Sequence, residues 1–175
     1  AKLIVAWLAH PNITVQTNAQ IDSLGDLRLL ASNVLVLASG HQSHQLQANL
    51  AGRLQPIRGQ IEWGKAALGG DQALFNPMNG MGHWIEGAGM WLTGATFQRD
   101  EADLLPRAKD VDLNFKKLAI LRPELTRPYL VQLRAACQSW VGIRTAQKNR
   151  IPLVQKITNE VHPNVWICTG LGSRG

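Results

Sequence analysis

The stretch VLVLASG, residues 34–40, carries apolar side chains at consecutive positions through Ala38 and then breaks at Ser39-Gly40. A strand with one wet face alternates apolar and polar residues, so this unbroken run predicts a strand buried on both faces, as inside a parallel sheet. Ligands of open α/β sheets gather outside the carboxyl ends of such strands. Ala38, Ser39 and Gly40 therefore mark a candidate ligand-facing strand end, the alternative being a buried strand with a polar exit.

Upstream, LIVAWLAHPNITVQ predicts a helix that stops at Pro11-Asn12, followed by a strand with alternating Ile13, Val15 and Thr17. Gly25-Asp26 reads as a hairpin turn leading into LRLLA, and Asn33 as a further tight reversal. Downstream, residues 50–97 are short apolar pieces separated by glycines, a texture that predicts antiparallel strands. Residues 104–136 are the most helical, in two pieces separated by Pro123 and Pro128, with Pro128 suited to a first turn. The last third returns to strands in WVGIRTA, IPLVQKI and NVWICTG, and ends on the glycine-spaced turn GLGSRG, Gly170 to Gly175.

The 175 residues, 45% of them hydrophobic, suffice for a real core. No apolar run is long enough to cross a bilayer, and no secretory leader is evident at the N-terminus. Cys137 and Cys168 lie far apart without Cys-x-x-Cys partners, which argues against a disulfide framework or a zinc site and makes a reduced, cytoplasmic compartment the expectation. The net charge of +6 suits a polyanionic partner, although the basic residues are scattered. His41 and His44 have no carboxylate or cysteine neighbour to complete a metal site. Neither a Gly-x-Ser-x-Gly elbow nor a phosphate loop is present, and no catalytic dyad is predicted.

Three further segments invite a ligand. In LQPIRGQI, Gly59 permits close backbone approach, and Arg58 suits a carboxylate or a phosphate; a surface arginine beside a bulge is the alternative. Arg144 sits inside an otherwise apolar strand and needs an acidic partner or an anionic ligand. GLGSRG offers backbone N–H groups to an anion if a helix follows it, or is a plain strand-to-helix turn.

In order, NVLVLASGHQ, LQPIRGQI, WLTGATFQRDEAD, VGIRTAQKNRIPLV and VWICTGLGSRG resemble successive landmarks of the D-amino-acid oxidase-like FAD-dependent oxidoreductases. The His-Gln after Gly40 and the terminal GLGSRG are most similar to the flavin module of bifunctional tRNA-modifying members. The resemblance implies an α/β (α+β) fold: part of an FAD-binding Rossmann-like domain plus an antiparallel-sheet substrate domain, truncated at both ends. Residues 1–49 and 141–175 would belong to the FAD-binding portion and 50–140 to the substrate side. It also implies oxidation of a C–N bond with FAD as cofactor, the substrate being a carboxymethylaminomethyl wobble uridine of tRNA. A fused methyltransferase module would be a further partner.

Carried over residue by residue, Ala38, Ser39 and Gly40 fall near the adenosine part of FAD, and Arg58, Gly59 and Gln60 beside the isoalloxazine. Gly94 to Phe97 match a strand of the substrate-side sheet. Gly170, Leu171, Gly172, Ser173, Arg174 and Gly175 match the turn beneath the flavin, and Arg144 matches an arginine that holds a substrate carboxylate. Asn149 and Gln155 depart from the family's usual Asp and Gly. The family's nucleotide-binding fingerprint, a Gly-x-Gly-x-x-Gly after an N-terminal strand with an acidic residue further on, is absent, so by itself the chain is expected to bind FAD weakly or not at all. A free amino acid as the substrate, or a non-catalytic RNA-binding role, are the alternatives.

Overall fold

A computed structural model describes residues 2–25, 34–65, 77–87, 89–125, 127–158 and 163–172. The predicted turn at Gly25-Asp26, the LRLLA segment and the Asn33 reversal fall wholly or partly outside these residues, as do Ser173, Arg174 and Gly175.

In chain order the elements are α1 (Lys2–Leu8), β1 (Leu35–Leu37), α2 (Ser43–Leu46), β2 (Leu54–Lys65), β3 (Met78–Asn79), β4 (His83–Gly87), β5 (Met90–Gly94), β6 (Gln98–Arg99), α3 (Ala108–Leu121), α4 (Arg127–Ala136), β7 (Gln138–Gln147), β8 (Leu153–Ile157) and β9 (Val165–Thr169). They form two sheets. A three-stranded sheet runs β1-β9-β8, with β1 parallel and β8 antiparallel to β9. The other is wholly antiparallel: β2 is its spine, with β7 along one edge and β5 and β6 along the other, and β4 and β3 continue outward from β5. The mixed α/β class and the antiparallel middle therefore match the sequence reading. β7 runs across the expected division at residue 140 and pairs with β2 from Gln138 to Gln147.

Two expectations are corrected. Ile13–Thr17 forms no strand; Ile13 and Val15 lie exposed, since alternation creates a strand only where a neighbouring strand takes up the backbone groups. The Leu35–Leu37 strand is parallel as predicted but not buried on both faces: Val36 is exposed while Leu37 is buried. β1 is an edge strand, and its inward side packs with Leu50, Leu54, Leu153, Ile157, Val165 and Ile167 in one core cluster.

A second core lies between the antiparallel sheet and α3. Trp84 and Trp91 sit diagonally on β4 and β5 and stack at 5.6 Å, with Phe115 of α3 edge-on to Trp91 at 6.3 Å. Pro128 occupies the first turn of α4, where its missing N–H costs nothing. Beside the aromatic cluster the same face of β2 is polar: Arg58, Gln60 and Glu62 are completely buried. All five guanidinium donors of Arg58 are used. Nε donates to Asp103 O (2.8 Å), Nη1 to Gln98 Oε1 (2.8 Å) and Asp110 Oδ2 (2.5 Å), and Nη2 to Gln60 Oε1 (3.0 Å) and Leu105 O (2.6 Å). Gln60 Nε2 donates to Glu62 Oε1 and Arg107 O, and Asn114 Nδ2 donates to Gln60 O and Glu62 Oε1. Ser139 of β7 donates to Glu62 Oε2. Asp110 and Asn114 are one helical turn apart, so α3 lays both along the Arg58–Gln60–Glu62 row.

Asp110→Ala should lower unfolding free energy by about 3–5 kcal/mol, because it strands a buried guanidinium. Neutralising the exposed Arg134–Asp112 pair should cost at most about 1 kcal/mol. Urea titration of both variants checks the contrast; equal losses would remove the special role given to the buried pair.

Candidate functional site

β2 and β7 are antiparallel neighbours with Ile57 opposite Arg144 and Gly59 opposite Gly142. Odd-numbered β2 residues therefore face away from α3, onto the same side as Arg144. A Cβ on Gly59 would stand 3.1 Å from Arg144 Nη1 and 3.2 Å from Thr96 O, so the missing side chain is what lets the guanidinium lie against the strand. Arg144 is half-buried, and its guanidinium makes no hydrogen bond or ion pair among the described residues. A half-buried fork with open donors is a receptor for an anion.

The end of β7 meets the turn after β9. Ala146 and Leu171 form an antiparallel bridge, and Gly172 N donates to Thr145 O at 2.7 Å. Gly170 and Gly172 hold φ of +74° and +62°, backbone that side chains rarely adopt. Between them opens a cavity of about 290 Å³. β7 and its following turn supply Arg144, Ala146, Gln147, Lys148 and Arg150; β2 supplies Gln55 and Ile57; Phe97 and Arg99 close the other side, and Gly170, Leu171 and Gly172 complete the wall. Among the described residues, four cationic side chains line this space and no carboxylate does.

Of the sequence-predicted residues, Arg144, Gly170, Leu171 and Gly172 meet in this cavity. Gly40 reaches it indirectly: a Cβ there would stand 3.1 Å from Thr145 Oγ1. Ala38 and Ser39 are exposed, and Ser39 Oγ lies 3.0 Å from Ser43 Oγ. The side chains of Arg58 and Gln60 point to the opposite face of β2, where their donors are spent on β2 itself, β6, α3 and the loop before α3; of that trio only Gly59 underlies Arg144. The sequence reading missed Gln55, Ile57, Arg99, Lys148 and Arg150. Alternation along β2 from Gly59 back to Ile57 and Gln55 was the available signal for two of them. Asn149, the departure from the family's Asp, still closes its turn by accepting Ile151 N at 3.0 Å.

The family profile described as DAO, FAD dependent oxidoreductase, matches residues 8–175. The chain belongs to this family of FAD-dependent oxidoreductases. It is 34% identical over 201 aligned residues to the tRNA 5-methylaminomethyl-2-thiouridine biosynthesis bifunctional protein MnmC of Polaromonas naphthalenivorans (strain CJ2), an alignment that covers 100% of this chain and 31% of that protein. The MnmC protein of Polaromonas sp. (strain JS666) is 31% identical over 206 residues, with the same coverage of 100% and 31%. The chain thus spans about a third of the length of these curated relatives. Among solved structures, iminodiacetate oxidase from Chelativorans sp. BNC1 superposes with a TM-score of 0.63 at 19% identity, covering 82% of this chain and 38% of that one. That likeness shows the shared DAO-type fold.

The lining is compatible with the family's cofactor: Gly170, Gly172 and Ala146 add little side-chain bulk, and the cationic side chains suit a ring that gains negative charge on reduction. Among the described residues no group of three or more His, Cys, Asp or Glu is placed to hold a metal ion, and no helix is long and apolar enough to cross a membrane.

His41, in the turn after β1, is held below its ordinary pKa by burial and then by the neighbouring His44. The folded chain therefore prefers neutral His41. The stability this brings is fully present above the unfolded value of about 6.5 and is lost as pH falls through the depressed folded value. An NMR titration should place the His41 midpoint below the ordinary histidine value of about 6.5, and a midpoint at or above it would contradict the placement.

Proposed function

We propose that this chain is the substrate-side part of an FAD-dependent oxidoreductase that removes the carboxymethyl group from 5-carboxymethylaminomethyl-(2-thio)uridine at the wobble position of tRNA. The observation that carries the reading is the Arg144 fork, which has no partner among the described residues and faces a cavity that none of their carboxylates lines. A carboxymethylamine places its carboxylate one carbon from the amine nitrogen, and a bidentate grip on that carboxylate fixes the intervening carbon in position. Support for a tRNA nucleotide rather than a free amino acid comes from the MnmC relatives, whose name refers to tRNA 5-methylaminomethyl-2-thiouridine.

FAD, when bound, supplies the two-electron acceptor for oxidation of the C–N bond. The chain's own residues do the positioning. Arg144 receives the carboxylate, Gly59 keeps the space beneath the guanidinium clear, and Ile57 and Phe97 add apolar wall against bulk water. Hydrolysis of the resulting imine by water frees the aminomethyl nucleoside and carries the former carboxymethyl carbons away as an oxo acid. An aminomethyl product is the substrate for a methyltransferase, which gives the proposed fused module its place. Residues 38–40, 58–60 and 170–175 remain the proposed cofactor-side segments, with 58–60 acting through backbone. A tRNA substrate makes the cytoplasm the proposed compartment.

In the full-length protein, Arg144→Met should raise KM for the carboxymethylaminomethyl RNA by about 10- to 100-fold, the range expected for losing hydrogen bonds to a charged group. Arg144→Lys should recover only part of this, because an ammonium presents no fork. An unchanged KM in Arg144→Met would sink the assignment, and turnover of glycine with no activity on RNA would transfer it to a free amino acid.

A further inference from the structure

Arg144 accounts for one of the four cations around the cavity; Arg99, Lys148 and Arg150 remain. All three are exposed, and none joins an ion pair among the described residues. They come from two separate segments. Arg99 lies on β6, while Lys148 and Arg150 flank Asn149 in the turn between β7 and β8, so the fold gathers charge at the mouth from both sides. Arg99 also lies over the exposed ring of Phe97, 5.7 Å from its centroid.

We propose that this mouth is a single-stranded RNA clamp: the Phe97–Arg99 pair stacks on an unstacked base beside the wobble nucleotide, and Arg99, Lys148 and Arg150 hold the flanking phosphates. An aromatic ring backed by a guanidinium, next to free cations, is the surface on which a splayed nucleotide binds. Recognition then divides by depth. Arg144 takes the carboxylate inside, and the rim takes the backbone outside. A free amino acid has only the inner anion and would make no use of three rim cations. The inference rests on the tRNA reading above.

The test is anticodon stem-loop RNA binding by the full-length holoenzyme across a salt series. The triple variant Arg99→Gln, Lys148→Gln, Arg150→Gln should bind roughly ten- to hundredfold more weakly at about 0.1 M salt, with its log–log salt slope shallower by about 2. The charge-conserving triple Arg99→Lys, Lys148→Arg, Arg150→Lys should keep the slope, and Phe97→Ala should weaken binding without changing it. If wild type binds the RNA and the neutral triple matches it in affinity and slope, the clamp is overturned while the tRNA reading stands. If wild type shows no salt-dependent RNA binding, both fall. Loss of bound flavin with an unaltered RNA slope would also overturn the clamp, by assigning these cations to the cofactor.

Discussion

The buried guanidinium of Arg58 meets five acceptors contributed by β2, β6, α3 and the loop that joins the last two. A charge removed from water at this depth is tolerated only when every donor is answered, so the path of residues 98–110 around β2 is set by one side chain. Glu101, Asp103 and Arg107 form a second, solvent-side clasp on the same loop, which presents the Asp103 and Leu105 carbonyls to Arg58. The contribution of that exposed clasp lies in loop geometry more than in energy.

This arrangement explains how the other face of β2 can be left open for chemistry. With Arg58, Gln60 and Glu62 committed to the α3 side, the strand presents Gln55, Ile57 and Gly59 on the face that Arg144 shares, and Gly59 gives Arg144 room to lie flat without a partner among the described residues. The two faces thus hold arginines in opposite conditions. Arg58 is saturated and structural; Arg144, opposite Ile57 in the register, keeps its donors open among the described residues. Because β7 also bridges to Leu171 at its far end, the same strand brings Arg144 to the glycine turn that follows β9. The site is therefore built where the two sheets share one strand end.

Much of this was legible in the residues. Apolar runs and turns placed β7, β8 and β9, Pro128 marked the start of α4, and an arginine within an apolar strand at 144 demanded an anion. The role of Arg58 was not legible, because Arg58, Gln60 and Glu62 at alternate positions imitate a solvent-facing edge. Only Asp110 and Asn114, some fifty residues on, turn that row inward, and local periodicity carries no information across such a separation. The opposite error occurred at Ile13, Val15 and Thr17, where the right period had no neighbouring strand to pair with. The rim cations were visible one by one, but their convergence depends on the β2–β7 register and on the turn after β7, which are tertiary facts.

Arg144, without a partner among the described residues, is placed to receive a carboxylate next to an amine. A crystal structure of the full-length flavoprotein with an N-substituted glycine bound tests this placement most directly. Both carboxylate oxygens should lie within about 3 Å of the Arg144 guanidinium, above Gly59 and inside the cavity between Phe97 and Leu171. A carboxylate bound elsewhere, or Arg144 engaged by an aspartate or glutamate of the protein itself, would contradict it.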